Sequence, residues 1–278
     1  MKIRRWITRN NVKRLAIRRV PVRVLDFESL RVIYCPMAKN GSTYFKKALM
    51  ERSEFYPEFL KSGGSLHEFA FRHPRLRMRD FSRLDDSGSL SFAIVRDPID
   101  RAVSAYLNKF VSITGNLRVA RQATAAYVEL VNSDFDPERL LNFRQFVRLI
   151  CHQADSELDH HWRPQHTFLR DYTEKFDWLV PQHRIADFLP ILESHLGDSM
   201  PRERSRNRVQ YSREVPEGVD YTRWAPQRLR HQKLYPTRDV LVSPDLLEAL
   251  QARFALDLDL FSHAQESFEQ KLLATTLS

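Results

Sequence analysis

The chain has 278 residues, 42% of them hydrophobic, a formal net charge of +9 and a pI near 9.7. That length buries one sizeable core, so one domain with room for an appended subdomain is expected, and the positive balance suits nucleic acid, a membrane surface or an anionic small ligand. Its two cysteines, Cys35 and Cys151, stand outside any CxxC or Cys/His ligand spacing, which excludes a disulfide scaffold and a structural zinc site and fits a reducing compartment.

Residues 1–28 form a basic arm in which Arg4, Arg5, Arg9, Lys13, Arg14, Arg18 and Arg19 break up the apolar residues. No signal-peptide core results; a solvated or frayed helix is expected, with weak contact to an anionic membrane surface as the alternative. Residues 31–36 are β-prone and residues 44–51 have helical spacing, so 36–43 is a strand-to-helix turn of the kind that binds phosphates in α/β proteins. A second β-prone run, 90–95, ends at Arg96-Asp97-Pro98 and is followed by helical spacing over 99–110. Residues 117–130 and 140–152 read as helices, and 176–180 as a third strand followed by a helix over 185–196 that stops at Gly197. A basic, polar stretch at 201–216 reads as loop, and 244–254 as an amphipathic helix. Three strand–helix units predict an α/β fold, a P-loop-like central parallel sheet flanked by helices, with a catalytic core over 29–265 and a C-terminal tail over 266–278. No later run reaches the ~20 apolar residues of a membrane helix.

Two loops carry the chemistry. In the first, Lys39-Asn40-Gly41-Ser42-Thr43 offers a lysine, a glycine that permits close backbone approach, and two hydroxyls at a helix start. Open N–H groups and the helix dipole favour an oxyanion there, and the lysine adds a full charge. The lysine precedes the glycine, unlike the GxxxxGK[ST] order of nucleoside triphosphatases. Alone, this pattern is equally that of an ordinary helix cap. In the second loop, Arg96 closes a strand and Ser104 follows eight residues later within the next helix, an arginine fork plus a hydroxyl suited to a phosphate monoester.

Together the loops resemble those of the sulfotransferases, whose 5'-phosphosulfate loop reads Pro-Lys-x-Gly-x-Thr and whose 3'-phosphate motif is an arginine followed eight residues later by a serine. The run from Val95 to Tyr106 is most similar to the carbohydrate sulfotransferases, with their Val-Arg-Asp-Pro-Phe-Glu-Arg-Leu-Val-Ser-Ala-Tyr. His161-Trp162-Arg163-Pro164-Gln165 resembles their His-Trp-x-Pro-Gln element, and the segment from Arg253 to Phe261 their closing helix, so the likeness spans roughly residues 31–262. Ala38 departs from the proline before the lysine, and Tyr44-Phe45 from a tryptophan, without removing a donor-binding group.

The resemblance implies transfer of a sulfuryl group from 3'-phosphoadenosine 5'-phosphosulfate to a sugar or glycan hydroxyl. Lys39, Asn40, Gly41, Ser42 and Thr43 would hold the donor's 5' end and Arg96 and Ser104 its 3' end, with Lys39 stabilising the leaving group. The base would be His67 or His73, or Glu68, since a histidine of ordinary pKa near ~6.5 suits proton abstraction at neutral pH. His161, Trp162 and Arg163 would form an acceptor-side wall, and Trp162 reads equally well as core. His160 and His161 lack a partner at helical spacing, so no metal is expected. The arginines between Arg202 and Arg213 read chiefly as a solvated loop, with a donor or glycan contact as the alternative. Eukaryotic relatives carry an N-terminal membrane helix; none is evident here, which implies a cytoplasmic, bacterial enzyme that does not bind nucleic acid. A P-loop-like kinase and a non-catalytic binder of anionic polymers are the competing readings.

Overall fold

A computed structural model describes residues 24–78, 81–85, 88–112, 117–131, 139–201 and 218–277. The basic arm up to residue 23 and the segment from Arg202 to Arg213 lie outside the described residues. Residues 24–27 do not belong to the arm: Leu25–Phe27 is strand β1, antiparallel to β2 (Val32–Cys35). After β2 come helices α1 (Ser42–Arg52), α2 (Tyr56–Ser62) and α3 (Leu66–Arg72), then β3 (Leu90–Val95). Helices α4 (Pro98–Tyr106), α5 (Leu117–Val131) and α6 (Phe143–His152) precede β4 (Trp178–Pro181), and α7 (Ile185–Leu196), α8 (Pro244–Arg253) and α9 (Ala255–Leu277) follow it, with the short helices His166–Leu169, Pro226–His231 and Arg238–Leu241 in the connections.

The sheet order is β1-β2-β3-β4, with β2, β3 and β4 parallel, in the register Tyr34 beside Phe92 and Phe92 beside Trp178. Period-two alternation sends Tyr34, Phe92, Ile94, Trp178 and Val180 to one face and Ile33, Cys35, Ala93, Val95 and Leu179 to the other. Both sets are buried, because helices cover both faces, and this is why the strands read as largely apolar runs, interrupted by Asp26 in β1 and Ser91 in β3. Phe92 packs on Tyr34, Phe45 and Phe188 at centroid separations of 4.6, 5.3 and 5.0 Å, so Phe92→Ala is expected to cost ~3–5 kcal/mol. A third apolar cluster, from α4, α5, α6 and α8 with Tyr106, Phe110, Phe146 and Trp162, builds a helical lobe beside the sheet.

Local chemistry sets the element boundaries that matter for the site. Asp97 accepts hydrogen bonds from the N–H groups of Ile99 and Asp100, each at 2.9 Å, and Pro98 sits in the first turn. Arg96-Asp97-Pro98 is thus a strand end, an N-cap and a helix start in three consecutive residues. The helix predicted over 99–110 instead ends at Tyr106 and widens into a π turn over Leu107–Val111, a device that re-aims side chains beside functional sites. Gly197 closes α7 with φ of 67°, as its position predicts. The segment expected as a C-terminal tail is the second half of α9: Phe268 is buried against Trp178, 5.5 Å between centroids, and Lys271 Nζ donates to Asp177 O at 2.6 Å. Burial of the Phe268 ring anchors this stretch to the sheet.

Candidate active site

The turn from β2 into α1 and the turn from β3 into α4 lie at the C-terminal ends of adjacent parallel strands, the edge where open α/β sheets bind ligands. Two residues of the first turn are left-handed, Lys39 at φ 71° and Gly41 at φ 80°. Glycine meets that requirement without strain; Lys39 does not, and a strained non-glycine residue in a tight turn marks a place where geometry is held for a purpose. Gly41 is the N-cap of α1 and supplies no side-chain cap, so the first N–H groups of the 11-residue helix stay open toward the turn. The Lys39 ammonium and the hydroxyls of Ser42, Thr43 and Ser104 make no hydrogen bond to any described residue.

The charge around Lys39 is one-sided. Burial, together with the cations Lys109, Arg96 and Arg101, lowers its pKa to about 8. Burial also lowers Arg96 against the pull of Asp100 and Asp97, and lowers Lys109 against the pull of Asp159. Cations held this close in a partly desolvated turn favour an incoming anion, which would raise the pKa of Lys39 again. Lys109 stands on the π turn and Arg101 is fully buried on α4; neither was singled out from sequence as a site residue. Arg101 donates to the carbonyls of Ala38 at 3.0 Å, Arg163 at 2.7 Å and His160 at 3.1 Å, tying the turn after β2 to the histidine loop. A mid-helix arginine in a Val-Ser-Ala setting gave no local sign of this, because its partners are distant carbonyls.

Asn40, expected among the ligand contacts, turns its side chain inward, and its Nδ2 donates to Ile94 O at 2.7 Å and Gln165 Oε1 at 2.6 Å. It braces the turn through the neighbouring strand. Arg96 reaches back across the same gap, donating from Nη1 to Lys39 O at 3.1 Å.

The histidines divide. His67, exposed on α3, has Nδ1 at 2.9 Å from Nζ of Lys46, which lies on α1 in the position one turn after Ser42. Burial alone lowers Lys46 to about 8. The His67 ring stacks on His160 at 5.9 Å, and His160 on His161 at 3.9 Å. His161 Nδ1 is 2.5 Å from Asp159 Oδ1. Burial, and then the positive charges of Lys109 and Lys39, depress His161 against the pull of Asp159. Burial works to raise Asp159, but its hydrogen bond with His161 and the charges of His160 and His161 hold it at about 2. Asp159, His160 and His161 bring potential ligand atoms within 4.8 Å of one another. Asp159 Oδ1 is already engaged by His161 N at 2.9 Å and by the ring, and Lys39 and Lys109 make the surroundings positive, a setting better matched to a hydrogen-bonded histidine pair than to a dication.

His73 lies apart from this stack. Its Nε2 pairs with Glu58 at 2.8 Å, its Nδ1 accepts from Leu76 N at 3.3 Å, and its ring packs on Phe55 and Phe69. Both of its ring nitrogens are thus engaged within the scaffold, away from the Lys39 turn's histidine file, unlike the expectation that it serves as the base. Glu68 pairs with Arg72 one turn along α3. The wall expected from His161, Trp162 and Arg163 also breaks up. Trp162 is 2% exposed and packs on Phe110 and Phe146, while the Arg163 guanidinium donates to the carbonyls of Asp155, Ser156 and Leu158. Of the three, His161 alone lies in the histidine file.

Among known protein families, the one described as the sulfotransferase family matches residues 23–264. Comparison with curated proteins and with solved structures found no match.

Proposed function

The chain belongs to the sulfotransferase family, and from that premise we propose that it moves a sulfuryl group from 3'-phosphoadenosine 5'-phosphosulfate to a carbohydrate hydroxyl. The observation that carries the donor assignment is the Lys39 ammonium, unbonded among the described residues, ringed by cations and set beside the open start of α1. The 5' phosphosulfate lies against Lys39 and the N–H groups of Gly41, Ser42 and Thr43; the 3' phosphate takes Arg96 and Ser104.

In the reaction a bond forms between the acceptor oxygen and sulfur as the bond from sulfur to the bridging phosphate oxygen breaks. The departing bisphosphate keeps the electron pair, and Lys39 stabilises that growing charge most where it is greatest, in the transition state. The acceptor proton goes to Nε2 of His67. That requires Nδ1 of the same ring to carry its hydrogen toward a neutral Lys46 amine, and the lowered pKa of Lys46 makes this form accessible near neutral pH. The neighbouring His160 and His161 offer polar ring edges to a sugar. The carbohydrate class rests on the likeness of the segment from Val95 to Tyr106 to the carbohydrate sulfotransferases. No helix of the described residues is long and apolar enough to cross a membrane. The unbridged thiols of Cys35 and Cys151 support a reducing, cytoplasmic setting.

Two measurements test this reading. Titration calorimetry should show adenosine 3',5'-bisphosphate binding in preference to ATP and duplex DNA, and labelled donor should pass its sulfate to one of a panel of glycans. Absence of bisphosphate binding would sink the donor assignment; sulfation of a phenol or steroid but no sugar would sink the acceptor class.

A further inference from the structure

Gln165 is fully buried, and its amide is shared between the two turns that flank the proposed donor. Oε1 accepts from Asn40 Nδ2 at 2.6 Å and from Arg96 N at 3.0 Å, while Nε2 donates to Arg96 O at 2.7 Å. The amide orientation is fixed by these partners, since rotating it would set its NH₂ against two donors and its oxygen against a carbonyl. Gln165 is itself anchored: its N–H donates to Asp257 Oδ2 at 2.6 Å, and Asp257 is fully buried at the start of α9. One side chain thereby joins the Lys39–Gly41 turn, the Arg96 turn and the C-terminal helix. The sheet alone does not make this connection, because the ladder between β2 and β3 ends at Cys35 and Ala93, before either turn begins.

We propose that Gln165 is a positioning residue that holds the two anion subsites at a fixed separation, so that one ligand carrying an anionic group at each end engages both at once. This rests on the donor reading above. When two contacts belong to one ligand, the second forms intramolecularly, and its effective concentration depends on how well the distance between subsites matches the ligand. A ligand with one anionic group does not sense that distance. Gln165 therefore acts on the difference in affinity between two-ended and one-ended ligands. A residue that only stabilised the fold would weaken both alike.

The experiment compares adenosine 3',5'-bisphosphate with adenosine 5'-monophosphate on the full chain and on Gln165→Leu and Gln165→Glu. The glutamate variant keeps the volume and the acceptor facing Asn40 and sets an oxygen against Arg96 O, and circular dichroism checks that each variant is folded. The bisphosphate is expected to bind ~30-fold more weakly to each folded variant while the monophosphate changes less than ~3-fold. Equal losses for the two ligands, or no loss for either, overturn the inference. A test on the unaltered protein does not depend on variant folding: adenosine 2',5'-bisphosphate, with the same charges at a different spacing, should bind at least ~10-fold more weakly than the 3',5' isomer, and equal binding also overturns it. Should the unaltered protein bind neither bisphosphate, the donor reading fails; should it bind the 3',5' isomer while the variants keep its advantage over the monophosphate, that reading stands and the role of Gln165 falls alone.

Discussion

The proposed donor wall hangs on two neighbouring parallel strands, whereas the histidine wall is gathered from α3, from α1 through Lys46 and from the loop of residues 159–161. On the first wall, Lys39 and Arg96 sit four and one residues beyond the ends of neighbouring paired strands, and their separation follows from strand spacing and the Gln165 amide. On the second, His67 meets His160 across 93 positions of sequence, through ring stacking and without a strand ladder. A wall built on adjacent strands has its geometry set by backbone hydrogen bonds, while one built from helix faces and loops depends on which side chains the packing leaves near each other.

The difference can be broken most forcefully at Lys39. Lys39→Met should lower kcat ~1000-fold while weakening bisphosphate binding only ~10-fold, a split read by steady-state kinetics beside calorimetry; equal losses would mean that the ammonium binds without stabilising the transition state. On the other wall, His67→Gln should lower kcat ~100-fold or more and leave bisphosphate affinity within ~2-fold. His73→Gln serves as its counterpart: activity is retained within ~3-fold, and thermal denaturation shows a loss of ~1 kcal/mol from the bonds to Glu58 and Leu76.

Titration separates the walls further. Lys39 binds an anion in its protonated form and loses its proton as the pH rises through about 8, so bisphosphate affinity should fall above that value and level off at a loss of ~10-fold, and Lys39→Met should flatten the profile. The charged groups bearing on Lys39 there are Lys109, Arg96 and Arg101, with Lys109 exerting the largest effect of the three. Lys46 acts in the opposite sense: below about 8 it keeps its proton and occupies Nδ1 of His67, so kcat should rise as the pH approaches that value, and Lys46→Met should remove the rising limb. The smallest expected effect falls on Trp162. Trp162→Phe should cost ~2 kcal/mol of stability and change the KM for the acceptor less than ~2-fold, because the indole is packed among Phe110 and Phe146; a large KM change would return it to the acceptor wall.

Much of the first wall was legible before folding was considered. A β-prone run followed by Lys39-Asn40-Gly41-Ser42-Thr43, and another followed by Arg96-Asp97-Pro98, each carry their caps, turns and charges within about ten residues, and the structure realises both as strand, turn and helix. The strand β1 was not legible, since three residues next to a basic arm carry no pattern long enough to read. His67 and His73 both stood as candidate bases, because nothing in the residues beside them shows which group each ring meets. Glu58 and Lys46, which distinguish them, lie 15 and 21 positions away. Trp162 and Arg163 matched a motif whose chemistry suits a sugar, yet burial of the indole and the demands of three loop carbonyls turned both inward.

Local order along the chain therefore decided the fold class, the turns at the strand ends and the residue types that meet an anion, because periodicity, capping and backbone conformation act over a few residues. Which histidine meets Lys46, which cations crowd Lys39 and which amide joins the two turns were decided only in the folded chain. Those relations depend on desolvation and on hydrogen bonds between residues as far apart as Asn40 and Gln165, 125 positions along the sequence.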